Sequence, residues 1–154
     1  MPYDIELKTV AARPIAAVKF RARIADLPQH MGQAFGAVME YLGRAGVQPS
    51  GPAVSLYHQL DDCEFEVAAG FYVAPAVAGD GYVVPVELPA GDVATTTHIG
   101  SYEGLMRAYE AIQAWMQQHG RAGIDDTMWE EYFSGPEAPP EETRTVVYWL
   151  LKPQ

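Results

Sequence analysis

The chain has 154 residues, 49% of them hydrophobic and 19% charged, which is the length of one domain and too apolar for a disordered chain. Twenty acidic against ten basic residues give a formal charge of −10, which argues against a nucleic-acid groove and against binding to an anionic membrane surface. The single cysteine, Cys63, excludes an internal disulfide and fits a reducing compartment.

The opening Met1-Pro2-Tyr3-Asp4-Ile5-Glu6 has no basic stretch leading into an apolar one, so no signal peptide is read and a cytoplasmic location is expected. The longest weakly polar run, residues 67–79, is broken by Gly70 and Pro75 and is too short to span a bilayer. A short strand is expected over residues 5–8 and a longer one over 14–23. Residues 28–46 then place Met31, Phe35, Val38 and Leu42 on one helical stripe. Asp26 and Pro28 suit its start, and Gly46 suits a left-handed stop. Strands follow at 53–59, 64–74 and 82–87, with Pro/Gly-rich loops at 48–52 and 76–81. A further strand is expected at 92–99. A second helix follows over 102–120, starting at Ser101 with Glu103 and stopped by Gly120. Strands at 127–133 and 143–152 close the chain, joined by an acidic, proline-rich loop.

The two helical segments are copies of one pattern. With a shift of 74, Met31 meets Leu105, Phe35 meets Tyr109, Val38 meets Ile112, Tyr41 meets Trp115 and Leu42 meets Met116, while Ala34, Ala37 and Gly46 meet Ala108, Ala111 and Gly120 unchanged. The flanks match too. Ser55-Leu56-Tyr57-His58 and Glu130-Glu131-Tyr132-Phe133 occupy equivalent places, and so do residues 71–75 and 148–153, which sets Tyr148 in the strand that matches Phe71 and Tyr72. The fold class is therefore α+β: two tandem β-α-β-β units with pseudo-twofold symmetry, repeat one over about 1–80 and repeat two over about 81–154, in a single domain covering 1–154. A mostly antiparallel sheet is expected, with both helices on one face and a central ligand cleft lined by strand residues on the side away from the helices.

The second half resembles the GyrI-like small-molecule-binding domain, found also as the effector-binding domain of AraC-type and MerR-type multidrug-responsive regulators. The resemblance is carried by Leu88-Pro89-Ala90-Gly91, His98-Ile99-Gly100-Ser101-Tyr102-Glu103-Gly104-Leu105, Trp129-Glu130-Glu131-Tyr132, and Pro136-Glu137 through Arg144-Thr145. The first half adds Pro14-Ile15-Ala16-Ala17-Val18 and the strand Ser55-Leu56-Tyr57-His58. The resemblance implies a cleft in which flat, often cationic, aromatic compounds stack between aromatic side chains above a carboxylate. That carboxylate belongs to the F/W-E-x-Y strand, hence to Glu130. The chain departs from the family's regulators in carrying no helix-turn-helix, and in placing valine at Val146 and Val147 where many relatives carry an acid.

Residues two apart on a strand share a face, so Glu130 and Tyr132 point together while Trp129, Glu131 and Phe133 point the other way. A carboxylate inside an aromatic cleft is costly to ionise, and its pKa rises unless a phenol, a backbone N–H or a cation supports it. A ligand cation supplies that support and gains on the order of 0.5–2 kcal/mol from each good ring face. The alternative is that Glu130 is an ordinary surface acid beside Glu131. Tyr57 is the symmetry mate of Tyr132 and Ser55 that of Glu130, so the cleft carries its charge on one side. Tyr148 is a wall candidate; whether Phe71 or Tyr72 faces inward is open. Tyr109 lies on the helical stripe and reads as core.

The expected ligand-binding set is Glu130, Tyr132, Tyr57, Tyr148, Phe71 and Ser55. No cofactor or metal is expected, because His30, His58, His98 and His119 lack metal-ligand spacing, and His98 reads as a structural hydrogen-bonder at a strand end. The leading function is stand-alone binding of a small hydrophobic, planar, cationic molecule, with no direct nucleic-acid or membrane contact. A second reading, implied by single-domain relatives, is hydrolysis of strained electrophiles such as cyclopropane-bearing DNA alkylators, with Glu130 as general base and Tyr148, or Tyr57, polarising the leaving oxygen. A third is a protein partner, either DNA gyrase or a separate regulator.

Overall fold

The structure is a computed structural model, and it describes residues 3–61, 63–101, 104–133, 139 and 142–153. In chain order these form β1 (Glu6–Val10), β2 (Arg13–Arg23), a short 3-10 turn over Ile24–Asp26, α1 (Leu27–Ala45), β3 (Ala53–Gln59), β4 (Glu64–Tyr72), β5 (Val84–Leu88), β6 (Gly91–Ile99), α2 (Leu105–Gln118), β7 (Gly123–Tyr132) and β8 (Arg144–Leu151). They fall into two compact units, residues 12–89 and residues 1–11 with 90–154.

In the first unit the strands run β3-β4-β2-β5, every pair antiparallel. Here α1 starts with Pro28 in its first turn, where a missing N–H costs nothing. It stops at Gly46, whose left-handed φ of 69° lets its N–H reach the carbonyls of Gly43 and Leu42. The buried stripe of α1, Ala34, Val38 and Leu42, packs with Ala16, Val18, Tyr57, Val67 and Ala69 of the sheet. Burying each Val or Leu stabilises by roughly 1.5–3 kcal/mol. Gly70 permits the close approach of β4 to β2, since a Cβ there would lie 1.8 Å from the Ala16 carbonyl oxygen. The segment before β5 straps α1 down: the Gly79 N–H donates to the Tyr41 hydroxyl (3.0 Å), Arg44 pairs with Asp80 (3.3 Å), and Val77 and Val83 join the core.

The other unit repeats the order as β7-β8-β6-β1. Its outermost strand comes from the start of the chain, whereas β5 follows β4 in sequence. The buried residues of α2 are Ala108, Ile112 and Met116, each lying 74 positions beyond its counterpart in α1. The α+β class and the antiparallel pairing follow the sequence reading.

Three local differences stand out. The helix α2 begins at Leu105 with Gly104 before it, because the Ser101 carbonyl is taken by the Gly104 N–H (3.1 Å) and the His98 imidazole (2.8 Å). The strand β7 begins at Gly123, ahead of an irregularity between Gly123 and Met128. The strand β4 ends at Tyr72, after which the Val73 N–H turns to the Pro14 carbonyl (3.2 Å). Tyr102 and Glu103, the Pro136-Glu137 pair and most of the 134–142 loop lie outside the described residues. Among the described residues, no helix is long and apolar enough to cross a membrane.

Candidate functional site: a buried carboxylate between two phenols

On β7, Glu130 pairs with Val147 and Tyr132 with Thr145; β8 continues the rows by pairing Val147 with Thr96 and Thr145 with His98. This is the face toward α2, because the Tyr109 hydroxyl of α2 donates to Oε2 of Glu130. Oε1 accepts from the Tyr132 hydroxyl at 2.6 Å. Glu130 is 5% exposed. A carboxyl group this deep is expensive unless its lone pairs are met, and two phenol donors, one to each oxygen, meet them. The Tyr109 ring meets Trp149 edge-on at 6.2 Å.

Glu130 and Tyr132 therefore share a face, as their spacing requires, but that face is the helix side of the sheet. The expected cleft wall away from the helices carries the other acid. Glu131, 6% exposed, accepts from the Tyr148 hydroxyl at 2.9 Å, and the Tyr148 ring stacks on Trp129 at 5.4 Å. Tyr148 thus belongs with Glu131.

The first-repeat candidates lie in the other unit, beneath α1. Tyr57 donates its hydroxyl to the Met31 sulfur (3.2 Å) and meets Phe65 edge-on. Phe71, half-buried, packs edge-on against Phe35 at 5.9 Å. Ser55 is fully buried, and its hydroxyl has no hydrogen-bond partner among the described residues. Tyr72 points away from α1, under the guanidinium of Arg13. His98 is structural: its Nε2 donates to the Ser101 carbonyl, so Nδ1 accepts from the Tyr3 hydroxyl at 2.8 Å. Among the described residues, no group of three His, Cys, Asp or Glu side chains could hold a metal ion.

The sequence matches the GyrI-like small molecule binding domain over residues 3–152. The chain belongs to the GyrI-like family. The C-terminal domain of EcmrR has the same fold at 19% identity, with a TM-score of 0.78 and 99% of each chain covered. SAV2435, solved bound to tetraphenylphosphonium, aligns at 14% identity and a TM-score of 0.63, covering 99% of this chain and 94% of that one. A hydrolase from Listeria innocua aligns at 13% identity and a TM-score of 0.65, covering 98% and 93%. These are likenesses of fold. No curated protein matches.

Within this GyrI-like domain Tyr109, which the sequence reads as core, also reaches the acid. Its place on the helical stripe is right, and the structure adds the hydroxyl contact at Glu130. One signal was available: Tyr109 stands where the first repeat has Phe35, and Glu130 stands where it has Ser55. A hydroxyl and a carboxylate thus enter the second copy together.

Proposed function

We propose that this GyrI-like domain binds small hydrophobic cations, planar aromatic ones included, with Glu130 as counter-charge and the rings of Tyr109 and Tyr132 beside it. The observation that carries the reading is the Glu130 carboxylate, 5% exposed and held by two phenol hydroxyls inside a single unit. Such an anion is already desolvated. A lipophilic cation placed against it gains electrostatic energy that water would otherwise screen, and gains again at the electron-rich ring faces. Support comes from family membership and from the binding of tetraphenylphosphonium by a protein of the same fold. Isothermal titration of tetraphenylphosphonium into wild type and Glu130→Gln tests the reading. Wild type binds, and the variant binds at least about tenfold more weakly. Equal affinity of the two proteins sinks the role of Glu130.

The likeness to the Listeria innocua hydrolase favours a second reading, in which Glu130 is the general base for water addition to a strained electrophile. Its phenol partner is then Tyr132 or Tyr109, since Tyr148 is engaged by Glu131. Mass spectrometry of a cyclopropane-bearing alkylator after incubation separates the readings: turnover adds one water to the compound, and binding returns it intact.

A further inference from the structure

The row of residues beside Glu130 contains a buried hydroxyl without a hydrogen-bond partner among the described residues. Thr145 is fully buried, pairs with Tyr132 on one side and His98 on the other, and lies on the face toward α2. Its Oγ1 has no hydrogen-bond partner among the described residues. Directly opposite residues on neighbouring strands have Cβ atoms about 5 Å apart, so Thr145 adjoins the ring whose hydroxyl holds Glu130.

A buried hydroxyl left without a partner destabilises a fold, whereas an apolar group of the same shape does not. Valine is that group, and the repeat shows that it fits. In the first unit Val67 lies opposite Tyr57, as Thr145 lies opposite Tyr132, and Val67 packs in the apolar core under α1. The next two residues after Thr145, Val146 and Val147, are valines as well. The copy that carries the acid thus has a hydroxyl where the copy without it has a methyl.

We propose that Thr145 is a specificity-determining residue of the Glu130 site: its hydroxyl is the hydrogen-bond partner for a polar substituent on the bound cation. This rests on the cation-binding reading above. The site then prefers cations that carry an amine, hydroxyl or carbonyl beside the charged ring system over cations of bare hydrocarbon.

Two probes and two variants test it. Proflavine is a flat cation with aryl amines, and tetraphenylphosphonium is a cation with no hydrogen-bonding atom. Binding is measured by calorimetry for wild type, Thr145→Val and Thr145→Ser, and thermal stability by melting. The valine variant binds proflavine about five- to tenfold more weakly, the loss of one hydrogen bond, and keeps its affinity for tetraphenylphosphonium. Its Tm rises, because a buried hydroxyl without a partner among the described residues is gone. The serine variant keeps the preference for proflavine. A valine variant that binds both probes as wild type does, or loses both equally, overturns the role of Thr145 and leaves the cation reading standing. A wild type that binds neither probe overturns both.

Discussion

Tyr109 and Glu130 form the contact on which the proposed site turns, and its consequence at the residue scale is thermodynamic. The phenol reaches across from α2 to a carboxylate on β7 that water scarcely touches. Removing one donor from a buried charged acceptor costs about 1–3 kcal/mol, because the acceptor keeps its desolvation penalty. Tyr109→Phe should therefore destabilise the protein by about that amount in urea denaturation, even though Phe35 shows that the slot accepts a phenylalanine. In the Glu130→Gln background the same substitution should cost less, since the charge that needed the donor is gone. Additive losses would mean that the hydroxyl serves packing alone. No spacing rule connects Tyr109 to Glu130, because the bond joins a helix to a strand; only the comparison of the two repeats carries a signal for it. The Glu130–Tyr132 pairing was legible, because alternation along one strand dictates it.

At the scale of elements, the two helices are held differently. On α1, Tyr41 and Arg44 bind the strap that leads into β5, and the strap is itself organised by Asp80. The Asp80 carboxylate accepts the backbone N–H of Val83 (2.8 Å) and of Tyr82 (3.0 Å). The Val83 N–H, helped by that of Tyr82 and by the Arg44 guanidinium, holds the Asp80 carboxyl below its ordinary 3.8, against the opposing effect of burial. The sign follows from linkage: a folded-state pKa below the unfolded one means that the anion is the form the fold favours. The contribution of Asp80 is complete above the ordinary carboxylate range and disappears as pH falls through the lowered value. Carbon-detected NMR titration of the Asp80 carboxyl should give a midpoint under 3.8, and the Val83 amide should shift with the same midpoint. A midpoint at or above that value contradicts the geometry of the strap. The elements themselves were readable almost throughout. Apolar stripes marked both helices, Pro28 and Gly46 bounded the first, and runs rich in Val, Thr and Tyr marked strands. What escaped was local hydrogen bonding: the Ser101 carbonyl spent before α2, and the irregularity in β7.

At the scale of the molecule, the duplication explains both what was legible and what was misplaced. The offset between copies is 74 in the helices and 75 between Ser55 and Glu130. It becomes 78 in the last strands, because the β7–β8 connection is longer than that of β3–β4. Matching by residue type sets Tyr148 in the strand that matches Phe71 and Tyr72, without fixing which of the two it corresponds to. Strand register sets Phe71 beside Trp149, since Ala69 lies opposite Ser55 and Val147 opposite Glu130. A slip of one residue on a strand turns a side chain to the other face, which is why Tyr148 is found with Glu131. The corrected register has an independent check in the packing. Phe35 meets Phe71 edge-on at 5.9 Å and 65°, and Tyr109 meets Trp149 at 6.2 Å and 66°. If the copies are equivalent in this register, the acid–phenol pair of one can be rebuilt in the other. Ser55→Glu alone buries a carboxylate without its phenol and should destabilise by at least about 3 kcal/mol. Adding Phe35→Tyr places a hydroxyl where Tyr109 carries one, and should recover roughly 1–3 kcal/mol as a coupling term in a double-mutant cycle by urea denaturation. Because Phe35→Tyr by itself offers a hydroxyl with no acid to meet, it should cost stability in the wild-type background. A coupling near zero would show that the two copies share a topology and not a register, and the equivalence of Thr145 with Val67 would fall with it.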